Sequence, residues 1–499
     1  MLTAIKRALG FTPAKRKAAP RAARAAVGHM LARYDAAQTS SENRRHWAMS
    51  DGLSAAAANS PEVRRIIRNR ARYEVANNPV LSGIVKTWVN DVIGTGPRLQ
   101  VRLPMARQLA QFIEAEFAAW MRETRLLSKL ITCRRARAID GEAFAVTFAN
   151  DALASPVKLD IRPLECDRIA NPAASIADPS NVDGIIIDAN GTPTTYQVLR
   201  SHPGNLIRGG LWEFDAVSAR EMLHWVQIDR PEQVRGVCEF TASLPLGAQL
   251  RRYSTATLGA AELVALLSVI FETDGQGEDP IPPFDELQLE RMGITGVPPG
   301  SNPRQIEPNQ PISSYAEFTN AQIGQMGRPL CMTYAIAAGD YSKSSYASSR
   351  MEDRNYGEAV LIDRAAIEEP QLDRLFAMWL AEARTIVGYL PPEIEDVRSV
   401  PITWHWKSRP HVDPQKTNNA IDTALKNGTK SLAEAAAESG ADWYARALQI
   451  AVERRTLATV GMVHPVDLPP MQTAQAQAEA AQDGNEPDTE QEFGDAETD

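Results

Sequence analysis

The sequence predicts an α+β fold on two observations. Apolar residues at helical spacing fill the early and late parts of the chain, and a block of short alternating segments lies between them. Ser60-Pro61 and Asn78-Pro79 each place a capping side chain before a proline, the usual start of a helix. Leu81, Ile84, Val85, Trp88, Val89 and Val92 then make one apolar face. Gly94-Thr95-Gly96 ends that helix and leads into the alternating Leu99-Gln100-Val101. No Gly-Lys-Ser/Thr comes after these glycines, so they read as a turn and not a phosphate cradle. Met105 to Glu123 is a second amphipathic helix carrying Leu109, Phe112, Ile113, Phe117 and Trp120. Strands are expected at Ala143–Phe148, Val157–Ile161, Gly184–Ile187, Thr195–Leu199 and Met222–Ile228, with a hairpin at Asn190-Gly191.

The later half returns to helices. Pro245 to Phe271 reads as one long helix, followed by eight prolines between Pro280 and Pro311 that enforce an extended module. Phe318, Ile323, Met326 and Leu330 suit one buried stripe, and Gly339-Asp340 supplies a helix stop. Ser342-Lys343-Ser344-Ser345 is a small polar loop. Ser348-Ser349 is expected to cap the next helix, Met351 to Glu369, which meets Pro370 and either kinks there or gives way to a new one through Leu372, Leu375, Phe376, Trp379 and Leu380. Ser399 to Trp406 alternates again, and Asp413-Pro414 opens a last helical region to about Ala458.

At 499 residues the chain exceeds the size of a single growing core, so several sub-structures are expected. Its net charge of −9 is uneven: residues 1–34 hold eight bases and no acid, and residues 471–499 hold nine acids and no base. The body between them is acidic too, which excludes a broad duplex-gripping surface. The first stretch reads as a flexible basic arm without the apolar core of a secretory signal. The last is too polar to fold alone. The longest apolar run, Ala261 to Phe271, contains Glu262 and is too short to span a membrane. Cys133, Cys166, Cys238 and Cys331 form no CxxC pair and read as small buried hydrophobes in a reduced compartment.

Catalytic chemistry finds little support. His405 and His411 make no ligand pair, no HExxH is present, and neither a metal nor a cofactor is expected. His224 sits in an alternating strand and reads as a core residue. Asp340, Glu352 and Asp353 could imitate a nuclease carboxylate cluster, but charges opening a helix are ordinarily a solvated face. Trp404, His405 and Trp406 could form a base-stacking platform, but Trp404 and Trp406 share a face with Ile402, which favours burial. No nucleophile elbow is present. No catalytic residue is expected.

One wording stands out. GDYSKSSYASSR, Gly339 to Arg350, resembles the "GDYS…NYSSAR" signature of the lambda-type portal proteins of tailed phages. Its signature positions are Gly339, Asp340, Tyr341, Ser342, Tyr346, Ser348, Ser349 and Arg350, and the wording departs at Ser345 (Asn in the family), Ala347 (Ser in the family) and Ser349 (Ala in the family). Tyr34-Asp35-Ala36-Ala37 with Arg44, Arg45 and Trp47 resembles the family's opening "YDAA…R…W". The helix–GTG–strand passage, DGIIIDANGTPTTYQVL with His202-Pro203-Gly204, and Arg230 to Val237 beside the family's "RPGQVRGV" extend the resemblance over residues 33 to 410.

The resemblance implies a structural ring, by family expectation a dodecamer, at one vertex of a phage head. Double-stranded DNA would pass through it. The terminase large subunit, the major capsid protein and head-completion or tail-connector proteins would be its partners, with no membrane involved. The expected place is the virion's portal vertex, with the host cytoplasm during assembly. The family's parts map to a flexible arm at 1–34, wing 35–240, stem helix 241–273, clip 274–313 and second stem helix 314–338. Then come a tunnel loop 339–346, a long kinked helix 347–388, wing return and crown 389–470, and an acidic tail 471–499. The DNA-facing loop would be Tyr341, Ser342, Lys343, Ser344, Ser345 and Tyr346. The rival readings are a nuclease-like enzyme and a head scaffold that closes no ring.

Overall fold

The computed structural model describes residues 45–103, 106–171, 178, 180–205, 213–266, 270–273, 301–304, 315–342, 345–390, 400–407, 414–438, 441 and 443–467. The basic arm, most of the clip, Lys343, Ser344, His411 and the acidic tail lie outside them. The chain divides into two units, 1–58 and 59–499. Described residues of the first contain one turn of helix, Ala55–Ala58. The second holds every element from Pro61 onward.

Helix α1, Pro61–Asn77, starts where Ser60 accepts the Val63 N–H. Asn78 ends α1 and starts α2, Pro79–Ile93, by accepting the Val80 and Leu81 N–H groups, while its own amide donates to the Gly247 carbonyl at 3.0 Å. One residue thus satisfies donors that a helix end leaves unpaired and fixes the angle between two helices. The expected face of α2 is buried throughout. Next come α3, Arg107–Glu123, and α4, Leu126–Asp140. Phe112 departs from the predicted stripe: it is 40% exposed, with its ring edge on Tyr389.

Strands β2 (Glu142–Ala149), β3 (Leu159–Leu164) and β8 (Met222–Val226) form an antiparallel sheet in the order β3-β2-β8, with α4 against it. A second sheet runs β4-β5-β6-β7, through Asn181–Val182, Ile185–Ile187, Pro193–Leu199 and Phe214–Ser218. The predicted hairpin joins β5 to β6: Asp188 accepts from the Asn190 and Thr192 N–H groups, and Gly191 takes φ +81°. Strand β1, Arg98–Val101, pairs antiparallel with the late strand β11, Ile402–His405, which sets Leu99 opposite Trp404. Trp404 and Trp406 are buried, as the alternation predicts, and Phe117 collects Trp120, Phe376, Trp379 and Trp404 with ring centroids 5.2–5.9 Å away.

The single helix expected from Pro245 to Phe271 stops short: α5 covers Leu244–Leu266, and Ile270 and Phe271 lie instead in strand β9 (Ile270–Thr273), which pairs with β10 (Ser301–Arg304). The stretch 314–338, expected as one helix, is two: α6 (Tyr315–Gly327) and α7 (Tyr334–Ala338), with a 3-10 turn at Arg328–Leu330. Pro329 cannot donate, and Cys331 sits left-handed at φ +57°. A Cβ on Gly327 would lie 2.8 Å from that of Ala337, so glycine lets the two helices close on each other. The single stripe does not hold: Met326 and Leu330 are buried, but Phe318 is 50% exposed. Cys331 is exposed, contrary to the expectation of four buried thiols; burial pushes Cys133 and Cys238 up to about 12.

Helix α8 runs Tyr346–Ile367 and passes through a π-helical turn, Glu368–Asp373, into α9, Arg374–Thr385. A wider turn accommodates Pro370 without ending the helix, which decides between the two outcomes the proline allowed. The cap is Ser345, whose hydroxyl accepts the Ser348 N–H, and not Ser348-Ser349. Helices α10 (Pro414–Lys426), α11 (Leu432–Glu438) and α12 (Trp443–Thr459) finish the described chain.

Candidate functional site: the Gly339–Ser345 loop and its supports

The loop leaves α7 through Gly339, left-handed at φ +68°, where a side chain would be strained. Asp340 then folds the chain onto itself: one carboxylate oxygen accepts the Ser342 N–H at 3.0 Å and the other accepts the Tyr334 hydroxyl at 3.0 Å. Tyr341 is half exposed. Ser345 exchanges bonds with Ser348 as the chain enters α8. The Thr333 hydroxyl donates to Glu352 at 2.9 Å, which ties the start of α7 to the first turns of α8. The signature residues Gly339, Asp340 and Ser348 therefore build the loop's two ends, while Ser349 and Arg350 lie within α8. Asp340, Glu352 and Asp353 do not bring their carboxylates together as one close group.

The contacts that hold α8 in place leave no local mark in the sequence. Tyr356, buried, donates to Asp91 at 3.0 Å and packs its ring on Trp88. Arg364 donates to the carbonyls of Val92, Asp91 and Lys407 and lies over the Trp406 ring. Asp363 accepts from Arg134 at 2.7 Å and Arg137 at 2.8 Å, and both arginines also meet Glu239. These four groups are buried at the side chain, so their value depends on the geometry being complete.

A second ion-pair cluster underlies the wing resemblance. Glu142, fully buried, accepts from Arg235 at 2.6 Å, and the Gly236 N–H donates to it at 3.1 Å. Burial alone would raise this carboxyl, but Arg235 and His224 hold it well below the usual carboxylate range. Arg235 also donates to the carbonyls of Ile169 and Asp183. Gly236 is required by contact, since a Cβ there would stand 2.1 Å from the Gly141 oxygen. Glu232 takes φ +64° where the family wording has glycine. Arg64 pairs with Asp183, while Arg68 and Arg72 share Asp167. His224 stacks on Phe144 with centroids 4.4 Å apart and meets Glu142 and Tyr196, as a core histidine should.

Among the described residues one group could hold a cation: Glu165, Asp167 and His202. Its chemistry argues otherwise. Asp167 is already engaged by two arginines, and His202 Nδ1 accepts the Gly204 N–H at 2.9 Å. That tautomer leaves the proton on Nε2, facing Glu165 at 2.8 Å, where a metal would need a lone pair.

The family model described as "Phage portal protein, lambda family" matches residues 41–361. The probable portal protein of Halomonas phage phiHAP-1 is 27% identical over 299 residues, covering 56% of this chain and 56% of that relative. The chain thus spans about half the length of the curated relative it matches. Among solved structures, the neck of a native gene transfer agent particle computed with C12 symmetry aligns at TM-score 0.42 and 12% identity, over 72% of this chain and 88% of that one. The virion of a native gene transfer agent particle aligns at TM-score 0.40 and 13% identity, over 78% and 95%. Likenesses this distant carry no argument about function. The family match runs through the buried Glu142–Arg235 pair and across the Gly339–Ser345 loop, well over half of the sequence, and the chain belongs to the lambda family of phage portal proteins.

Proposed function

We propose that this chain is the portal of a tailed phage or phage-like particle: a closed ring, by family expectation a dodecamer, through which double-stranded DNA is packaged and ejected. The observation that carries this is membership of the portal family across both the ion-paired body and the loop. The family is structural, and no catalytic role is assigned to any residue. Under this reading 35–240 is the wing, 241–273 and 314–338 are the stem, 274–313 is the clip, 339–346 is the tunnel loop, 347–388 is the long kinked helix and 389–470 holds the crown. The loop's stiff ends support that assignment, because a polar loop held on two fixed helices keeps one position in every subunit of a ring. The acidic body also suits a channel, since a wall that repels phosphates does not trap duplex DNA by counterion release. The terminase large subunit, the major capsid protein and connector proteins are the partners, at the virion's portal vertex, with assembly in the host cytoplasm. Native mass spectrometry and negative-stain imaging of the purified protein test the reading. One dominant ring with a central hole is expected, and a stable monomer at micromolar concentration would sink it.

A further inference from the structure

A groove of about 1540 Å³ lies between the late helix α12 and the surface made by β1, α3 and α4. Its apolar lining includes Leu99, Met121, Leu127 and Ile450. Charge on its walls is unbalanced, with Arg98, Arg122, Arg125 and Arg446 against Glu114 and Glu453. Both acids are already engaged: Glu114 accepts the Val101 N–H at 2.6 Å, and Glu453 accepts from Gln449 and meets His464. No carboxylate pairs with Arg98, Arg122 or Arg125 among the described residues. Arg125 moreover holds a left-handed backbone, φ +51°, a conformation that non-glycine residues rarely adopt.

The described chain ends at this groove's edge. His464 meets Glu453 at 3.2 Å, and Asp467 pairs with Arg454, the next residue of α12, at 2.5 Å. From Leu468 to Gln482 the sequence is nearly free of charge and rich in alanine, with Glu479 as its one acid. Eight more acids and no base come after it. The α3 wall from Gln111 to Arg122 is about 17 Å long at 1.5 Å per residue. The twelve residues from Leu468 to Glu479 span up to about 40 Å when extended, so reach is ample.

We infer that the groove is the seat of this chain's own C-terminal tail, with the Met471–Ala481 stretch on the apolar floor and the carboxylates from Glu479 onward against Arg98, Arg122 and Arg125. A segment too polar to fold alone still docks when a preformed surface supplies both the apolar contact and the opposite charge. Such docking is open to the chain whether or not it closes into a ring.

The test uses the full chain with Cys331→Ser, Ser128→Cys in the groove and Ala480→Cys in the tail. A short bismaleimide should join the two new thiols within one chain, in a yield that falls in 1 M salt. Arg122→Glu with Arg125→Glu should lower that yield about tenfold, as two attractions become two repulsions. Truncation after Pro470 should make the Ser128→Cys thiol react about tenfold faster with a soluble maleimide. Equal labelling of the full and truncated chains overturns the inference. So does a link joining two chains, which would give the groove to a neighbouring copy's tail.

Discussion

Lys343 is the one charged side chain between Tyr341 and Tyr346. Under the proposed portal reading it would recur in every subunit of the ring, and a tunnel-facing loop would make it a girdle of flexible point charges that meets a DNA backbone without fixing its geometry. Lys343→Glu is expected to leave rings intact and to lower packaged DNA, with a smaller loss of the same sign for Lys343→Ala. DNA content per assembled head is the measurement, and normal content in the Glu variant would remove this residue from the mechanism. A second residue sets a pH dependence. Burial holds His224 below its ordinary 6.5, in a setting shared with Glu142, Arg235 and Tyr196. As pH falls through that value the unfolded chain takes the proton first, so the unfolded state binds more protons and stability drops. Glu142, held well below 4.5, adds stability that is present above that value and is lost at still lower pH. Urea midpoints should therefore decline from pH 7 to pH 5, at up to about 1.4 kcal/mol per pH unit for one group. His224→Gln should flatten that slope, and an unchanged slope would assign the protons elsewhere.

At the scale of elements, the π turn inside the α8–α9 helix is clasped by one strand. Trp406 donates its indole N–H to Glu368 at 2.6 Å, and Trp404 donates to Asp373 at 2.6 Å, so alternate residues of β11 and its end hold the two ends of the turn. Burial raises the Glu368 carboxyl, and the Trp406 bond works against that rise. Trp406→Phe keeps most of the ring and removes the donor, leaving a partly buried carboxylate short of one bond. A loss of about 1–3 kcal/mol is expected from denaturant titration; a loss under about half a kcal/mol would mean water replaces the indole. The burial of both tryptophans is legible in their alternation, whereas their partners lie 38 and 31 residues away and leave no local mark. Strand β7 is not legible, because its residues are almost all exposed and no apolar alternation marks it. The Arg230–Val237 wording is conspicuous, but its reason, a guanidinium buried on Glu142, joins residues 93 apart. Helix starts are easier to read, because Ser60 and Asn78 act within three residues of themselves.

For the whole molecule, the acidic tail gives a direct test. Truncation after Pro470 is expected to leave ring formation and subunit number unchanged by native mass spectrometry, because docking in a groove on its own chain is separate from contacts between subunits. Failure of the truncated chain to assemble would contradict this. The joint between α8 and the rest of the body has a different kind of consequence. Arg364 donates to carbonyls of Val92, Asp91 and Lys407, groups that every residue carries whatever its side chain. Mutation at Val92 or Lys407 cannot delete the acceptor, whereas an apolar substitution at Arg364 deletes the donors to all three at once. These three bonds are thus genetically one-sided: change at Val92 and Asp91 is limited by core packing and by the Tyr356 bond, whereas a single codon carries every donor.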